Sequence, residues 1–250
     1  MTGLVIDSSS PAAANSTTPT VTTAAFTPPP DPLLLAAWAA NSTPSVDPPD
    51  VPNASSSPSH TWTRDAWDRW GTGSPQVNGQ AAFFHSLLTG TPGSHTVSVL
   101  NGSPAVGQTG AILKVYAMTG HDPVDPIGQT GGGRAASPTS ISASYNASIT
   151  GGQGFKVVSD WMATDPAAWT VGGGCTVVDR GINGIETSYM MLRRTDPDGV
   201  YGAATTMTVS GFVGTTEIHY AYAEVISLEA AVAAAAIAGY PAFGANAPMF

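Results

Sequence analysis

The stretch from residue 111 to residue 122 constrains the fold more than any other, because it is the most strand-like run in the sequence. Alternate residues of a strand share a face, so one face here is wholly apolar and the other is apolar except for one lysine. The two faces are Leu113, Val115 and Ala117, and Ile112, Lys114, Tyr116 and Met118. The pattern predicts a central strand, with residues 33–40 and 219–226 as its two flanking counterparts.

The composition favours β-structure for the rest of the chain. Only 10% of the 250 residues are charged, and there are 28 glycines and 21 prolines. Ordinary soluble domains are about one quarter charged. This balance is typical of short strands joined by many turns, and it fits a helical enzyme poorly. With roughly ten of the alternating segments expected to be strands, the sequence predicts an all-β, jelly-roll-like β-sandwich of two sheets over residues 1–226.

Two stretches read as long surface loops on this sandwich. Residues 41–60 are rich in proline and serine, and residues 121–138 contain three consecutive glycines and three prolines. Long loops on a rigid scaffold often carry contacts with partners.

The last 24 residues, 227–250, differ from the predicted sandwich. Residues 227–238 are rich in alanine and lack glycine and proline, which predicts a short helix with Ser227 as its N-cap. A helix of this length is marginal alone in water. The tail that follows has four large apolar side chains and no charge, so we expect it to dock, preferably on a neighbouring molecule: Tyr240, Phe243, Met249 and Phe250.

Charge and cysteine content exclude several classes of function. The formal net charge is -9, and no basic patch is present for nucleic acid or for an anionic membrane surface. The single cysteine, Cys175, excludes an internal disulfide framework. It is interpreted as a small buried residue at a strand start rather than as a nucleophile. We expect no secretory signal and no apolar run of membrane-spanning length.

A cluster of aromatic and charged residues between positions 62 and 70 is the main candidate contact site. It contains Trp62, Trp67 and Trp70 beside Arg64 and Arg69, together with Asp65 and Asp68. Such aromatic–arginine sets mark protein interfaces, and exposed tryptophans beside acidic groups also stack on sugars. The alternative is structural, with Trp62 in the core and the other tryptophans covering a sheet edge.

No catalytic, cofactor or metal site is predicted. His121, Asp122 and Asp125 lie together in sequence as possible metal ligands, but an Asp-Pro turn at a strand end explains them better. Residues 196–199 resemble part of a calcium loop without its later glutamate, so a β-turn is favoured there as well.

Several short segments along the chain form a recognisable series of structural landmarks. They are Ala25-Phe26-Thr27-Pro28-Pro29, Leu33-Leu34-Leu35-Ala36, Ala39-Ala40-Asn41-Ser42, Trp62-Thr63-Arg64, the segment 113–120, Asp160-Trp161 and the segment 220–226. This series resembles that of virion proteins from tailed phages that infect actinobacteria, usually called minor tail proteins. The resemblance covers about residues 19–226 and implies a non-enzymatic β-sandwich on the exterior of the virion. It implies a minor tail protein or a capsid decoration protein, made in the host cytoplasm, with other virion proteins as partners. Low charge and apolar termini favour permanent contacts, so we also expect a homo-oligomer.

Two other classes of function stay open. A carbohydrate-binding adhesion module would present the tryptophans of the 62–70 segment in one exposed plane to a host glycan. A hydrolase of cell-wall glycan would need two carboxylates about 5–9.5 Å apart in a cleft.

Overall fold

The structure is a computed structural model, which describes residues 4–18, 20–42, 52–69, 78–100, 108–136, 140–145, 152–160, 166–172, 174–183, 187–195, 205–212 and 217–228. These residues form an all-β molecule with several antiparallel sheets, which confirms the all-β part of the prediction. The described part contains no helix of seven or more residues. Most of the predicted C-terminal helix, the whole apolar tail, Trp70, Trp161 and the turn at residues 196–199 lie outside the described residues.

Nine strands come from the first half of the chain. They are β1 Val5–Ile6, β2 Ala14–Ser16, β3 Thr20–Thr22, β4 Leu33–Ser42, β5 Asn53–Ser57, β6 Thr63–Arg69, β7 Asn78–Leu87, β8 Thr96–Leu100 and β9 Gln108–Thr119.

Eight further strands and one 3-10 turn, Pro166–Ala168, follow in the second half. The strands are β10 Ile127–Ala136, β11 Ser140–Tyr145, β12 Gly152–Asp160, β13 Thr170–Gly172, β14 Thr176–Asn183, β15 Thr187–Thr195, β16 Thr205–Ser210 and β17 Glu217–Ile226. The described strands therefore outnumber the predicted ten, and four of them, β1, β2, β3 and β13, have only two or three residues.

The strands form four sheets rather than the two that the sequence suggested. The first central sheet has the order β1-β9-β4-β7-β6, with β2 also paired to β9, and the second has the order β10-β17-β12-β15-β14. Two smaller outer sheets have the orders β3-β8-β5 and β11-β16-β13.

Three hydrophobic cores show that the four sheets are stacked as layers. The middle core joins the two central sheets, with Leu35 and Phe83 on one side and Phe155 and Val225 on the other. A second core lies between the first central sheet and its outer sheet. A third core lies between the second central sheet and its own outer sheet. Each central sheet is thus buried on both faces, which explains how so weakly charged a chain places its apolar side chains.

Strand β9 has the two apolar faces that the sequence predicts. Leu113, Val115 and Ala117 face the first outer sheet, whereas Ile112 and Tyr116 face the middle core. Lys114 is the one polar residue on these two faces. Its side chain reaches the margin of the sheet, where Nζ donates a hydrogen bond to the carbonyl of Pro11 at 2.7 Å.

Only one of the two strands predicted to flank β9 pairs with it. Strand β4 pairs with β9 along its whole length, as predicted. Strand β17 instead belongs to the second central sheet, between β10 and β12. It meets the first central sheet face to face across the middle core, since apolar runs can meet by packing as well as by pairing.

Both predicted long loops contain strands. Residues 53–57 form β5. Their serine-rich sequence has no apolar face, so it lacks the alternation of apolar and polar residues that predicts a strand. Residues 127–136 form β10, which pairs with β17 despite its three glycines. Gly131 and Gly133 lie opposite Tyr222 and Tyr220, whose rings cover the glycine backbone and supply the packing that the strand itself lacks.

The two halves of the chain repeat the same arrangement of strands. Strands β2 to β9 correspond one by one, in chain order, to strands β10 to β17. With this correspondence, the order β2-β9-β4-β7-β6 in the first central sheet becomes the order β10-β17-β12-β15-β14 of the second. The same correspondence converts the first outer sheet into the second outer sheet. Strands β1 and β2, which pair with opposite ends of β9, together take the place of the continuous strand β10.

The repeat extends to the pairing register. Leu35 lies between Tyr116 and His85 in its sheet, and the equivalent residue Phe155 lies between Ala223 and Arg193. In the outer sheets, Val99 lies between Val21 and Ala54, and Val209 lies between Ile141 and Val171. Equivalent buried residues face equivalent cores, although they are seldom identical.

Even an irregularity of the sheet is repeated. The pairing of β6 with β7 shifts between Arg64 and Ala66, which leaves Asp65 as the extra residue of a β-bulge. The pairing of β14 with β15 shifts in the same place, where Val178 is the extra residue. The first half thus places an aspartate where the second places an apolar residue.

The two halves also join by a reciprocal pair of backbone hydrogen bonds. The amide of Asp122 donates to the carbonyl of Ile226 at 3.0 Å, and the amide of Leu228 donates to the carbonyl of Gly120 at 2.9 Å. The bonds flank an antiparallel bridge between His121 and Ser227. Each half thus ends by pairing with the corresponding end of the other.

Candidate functional site at the β6 edge

The predicted contact cluster lies on β6, the edge strand of the first central sheet. Trp62 and Trp67 are both half-buried and pack against the core between this sheet and the first outer sheet. The Trp62 indole nitrogen donates to Ser56 Oγ at 3.2 Å. These contacts give both tryptophans a packing role, although Trp62 is half-buried against the core rather than inside it.

Arg64 and Trp67 form the exposed element of this cluster. Arg64 is exposed, and its guanidinium carbon lies 4.9 Å from the centroid of the Trp67 ring, within cation–π distance. The β-bulge at Asp65 separates the two residues, so the strand presents both on the same side. The side chains of Arg69 and Trp70 lie outside the described residues.

The opposite side of β6 is polar in a way that the sequence did not indicate. Asp65 Oδ1 lies 2.7 Å from His85 Nδ1 on β7, and only 5% of the Asp65 side chain is exposed. Burial raises the pKa of the Asp65 carboxyl, and its interactions with His85 oppose that rise. The second oxygen, Oδ2, is buried without a hydrogen-bond partner among the described residues.

A second carboxylate–imidazole pair joins the two halves of the molecule. Asp68 Oδ2 lies 3.2 Å from Nδ1 of His219 on β17, and the His219 side chain is fully buried. Asp68 also lies close to the backbone of β10, since a Cβ atom built on Gly132 would lie 3.1 Å from the Cβ of Asp68. The pair therefore ties the β6 edge to the second central sheet.

The structure also brings together two histidines that sequence reasoning left scattered. His60 Nε2 and His95 Nε2 are 2.7 Å apart, and His95 Nδ1 lies 2.8 Å from the carbonyl of Gly93. His60 follows β5, whereas His95 precedes β8 by one residue. No sequence signal connects the two, because the pairing of β5 with β8 brings them together.

Lys156 and Cys175 lie near the third core. Lys156 is fully buried, its Nζ donates to the carbonyl of Met207 at 2.9 Å, and it lies 4.7 Å from the centroid of the Tyr220 ring. Burial lowers the pKa of Lys156 to about 7. Cys175 is half-buried just before β14, and burial raises the pKa of its thiol, which is the opposite of what an activated nucleophile needs.

The possible metal ligands of the 121–125 segment are arranged as a turn. Asp122 Oδ1 accepts hydrogen bonds from the amides of Val124 at 2.8 Å and Asp125 at 3.2 Å. This is the aspartate-stabilised turn that the sequence favoured. Within the described ranges, no three or more histidine, cysteine or acidic residues are grouped to hold a metal ion.

Comparison of the chain with family models, curated proteins and solved structures finds no match. Among the described residues, no helix is long and apolar enough to cross a membrane.

Proposed function

We propose that this protein is a non-enzymatic structural component of a tailed-phage virion, located on the particle exterior as a minor tail protein or a capsid decoration protein. The resemblance of its landmarks to virion proteins of actinobacterial phages motivates the proposal. The observation that supports it best is the repeat of one eight-stranded arrangement. Each copy forms a five-stranded central and a three-stranded outer sheet, and the central sheets share one core.

We further propose that each eight-stranded copy is a jelly roll. In each copy the chain passes repeatedly between the central and the outer sheet, and its last strand lies beside the first. Strands arranged in this way form the double-sheet architecture common in viral shell proteins. The two copies share one apolar core between their central sheets, which suits a structural protein that acts through contacts with its neighbours.

Location on the particle is the direct test of this function. Antibodies raised against the protein are applied to phage particles purified from lysed producing cells and are viewed by immunogold electron microscopy. We expect regular labelling of the tail or of the capsid surface. Particles that carry none of the protein, by labelling and by mass spectrometry, would overturn the proposal.

Assembly through the C-terminal segment is the second part of the proposal. The apolar tail residues Tyr240, Phe243, Met249 and Phe250 would bind a neighbouring copy or another virion protein. Light scattering would compare the full chain with a chain ending at Leu228, because Ser227 and Leu228 still pair with the Gly120–His121 segment. Oligomers of the full chain and monomers of the shorter chain support assembly by the tail. Equal mass per particle for the full chain and the shorter chain would contradict assembly by the tail.

A carbohydrate-binding module is the second candidate function. The half-exposed Trp67 ring favours it, since such a ring stacks on a sugar once the exposed Arg64 guanidinium swings off its face. Binding to cell-wall glycans of actinobacteria, measured for the unaltered protein and for Trp67→Ala, distinguishes this function. Binding that the substitution abolishes would support the adhesion module, and absence of binding by both proteins would remove it.

A further inference from the structure

The imidazole rings of His60 and His95 meet head to head. Their Nε2 atoms are 2.7 Å apart, the ring centroids are 4.9 Å apart, and the planes are inclined by only 18°. The centroid separation is close to the nitrogen–nitrogen distance plus one ring radius on each side. The rings are therefore close to coplanar, and their two Nε2 atoms point at each other along nearly one line.

The hydrogen bonds around His95 fix which of its nitrogens carries the proton. A carbonyl oxygen only accepts hydrogen bonds, so the contact with Gly93 O places the proton of neutral His95 on Nδ1. Nε2 of His95 then carries a lone pair directed at His60, whose own Nε2–H donates to it. A backbone carbonyl bound to the outer nitrogen is the arrangement that orients metal-binding histidines.

The surroundings of His60 favour its uncharged form and give it access to solvent. Burial lowers the pKa of His60, and the neighbouring His95 lowers it further. His95 is only 2% exposed, whereas His60 is half-buried on the segment between β5 and β6. Neutral imidazole is the form that binds metal ions, and late first-row transition metals prefer it.

We propose that His60 and His95 form a binding site for a late first-row transition metal ion of the Zn²⁺ class. The two Nε2 atoms would be its protein ligands, and water would complete the coordination on the exposed side of His60.

Binding requires a movement of the His60 side chain and one proton shift. Zinc–nitrogen bonds are about 2.0–2.1 Å long, so two nitrogens on a tetrahedral Zn²⁺ lie roughly 3.3 Å apart. His60, the more exposed partner, must therefore move outward. Its ring must also tilt, because the two Nε2 atoms oppose each other in the metal-free structure and would meet the ion at the tetrahedral angle. The proton of His60 passes from Nε2 to Nδ1 through solvent, so each ring stays neutral with one proton on Nδ1 and no net proton is released.

The experiment is a titration of the full-length protein with Zn²⁺, followed by thermal unfolding and by imidazole ¹H–¹⁵N NMR spectra at pH 7. We expect a saturable rise in Tm of about 2–4 °C. Among the five histidines, the ring signals of His60 and His95 should shift together. Mg²⁺, which prefers oxygen ligands, should produce neither effect.

Two substitutions complete the test. His60→Ala removes a half-exposed ligand without opening the core, and it should abolish the Tm rise and the shift of the His95 signals. His121→Ala is the matched control and should leave both effects in place. The proposal is overturned if Zn²⁺ leaves the His60 and His95 signals unchanged, or if the effects persist in His60→Ala.

Discussion

The ring of Tyr222 on β17 lies directly over Gly131 on β10. A Cβ atom built on Gly131 would lie only 2.8 Å from Cε1 of that ring. Tyr220 covers Gly133 in the same way, so a pair of tyrosines packs on a strand that has no side chains of its own there. Close contact with the backbone is therefore what makes a glycine-rich segment a strand in this protein.

Gly131→Ala should destabilise the protein by about 1–3 kcal/mol, because Tyr222 must swing away from the strand. Gly93→Ala is the matched control, since a Cβ atom there meets nothing within 4 Å. Urea unfolding of both variants measures the difference. Equal urea midpoints for the two variants would show that packing of the Tyr222 ring does not require glycine at position 131.

Gly152→Ala should cost more than Gly131→Ala. A Cβ atom at Gly152 would collide with the backbone carbonyl of Val225, which cannot rotate away as a side chain can. The pairing of β12 with β17 must then shift, and we expect a loss above about 3 kcal/mol or failure to fold. Soluble yield and the urea midpoint are the measurements, and a midpoint above that of Gly131→Ala contradicts this ranking.

Lys156 should make the protein more stable as the pH rises above neutral. Its pKa is about 7 in the folded state and 10.5 ordinarily, so the unfolded chain binds more protons between these values. The free energy of unfolding should then increase by up to about 1.4 kcal/mol per pH unit.

Lys156→Met tests this contribution, with urea midpoints measured for both proteins at about pH 7 and 8.5. The rise with pH should be smaller in Lys156→Met than in the unaltered protein. The comparison matters because Cys175, whose pKa is raised by burial, acts in the opposite sense. Identical pH dependence in both proteins would contradict the lowered pKa of the buried lysine.

The pair Asp68–His219 should stabilise the contact between the two halves. Asp68→Ala leaves the buried His219 ring without its carboxylate partner, which should cost about 1–3 kcal/mol. Asp68→Asn keeps an accepting oxygen and should cost less. Asp125→Ala, at an exposed position, is the control and should change the unfolding midpoint little. An equal loss of stability in Asp125→Ala and Asp68→Ala would contradict a specific stabilising role for the Asp68–His219 pair.

Trp67→Ala should destabilise the protein by about 2 kcal/mol, less than the loss of a fully buried tryptophan, because the ring is half-buried against the core. Arg64→Ala should change stability by less than about 1 kcal/mol, since its guanidinium is exposed. Thermal unfolding of both variants provides the measurement. A Trp67→Ala protein as stable as the unaltered one would mean that the ring serves contact alone.

Local sequence patterns predicted the elements that have an apolar periodicity. The alternation in residues 111–122 predicted β9 and both of its buried faces, and the run at residues 33–40 predicted β4 beside it. Strand β5 and strand β10 escaped prediction, because serine and glycine carry no periodicity of hydrophobic side chains. Their strand character comes from partners distant in sequence, including Tyr220 and Tyr222.

The candidate sites also differ in whether a local sequence pattern could predict them. The Trp62–Arg69 cluster is contiguous, so composition alone found it, and the structure shows which parts of it are packed. The pairs Asp65–His85, Asp68–His219 and His60–His95 join residues from different strands. Only strand pairing and sheet stacking bring such residues together, so no local pattern contains them.

The sequence by itself determined that this protein is all-β, because low charge, frequent turn residues and alternating segments leave few other ways to bury its apolar side chains. The tertiary structure alone decided that the fold is one eight-stranded arrangement used twice. Leu35 and Phe155 are equivalent, and so are Ala36 and Lys156. Register and layer order depend on which face a residue occupies and not on its identity, so the repeat is conserved in the backbone while the two halves differ in sequence.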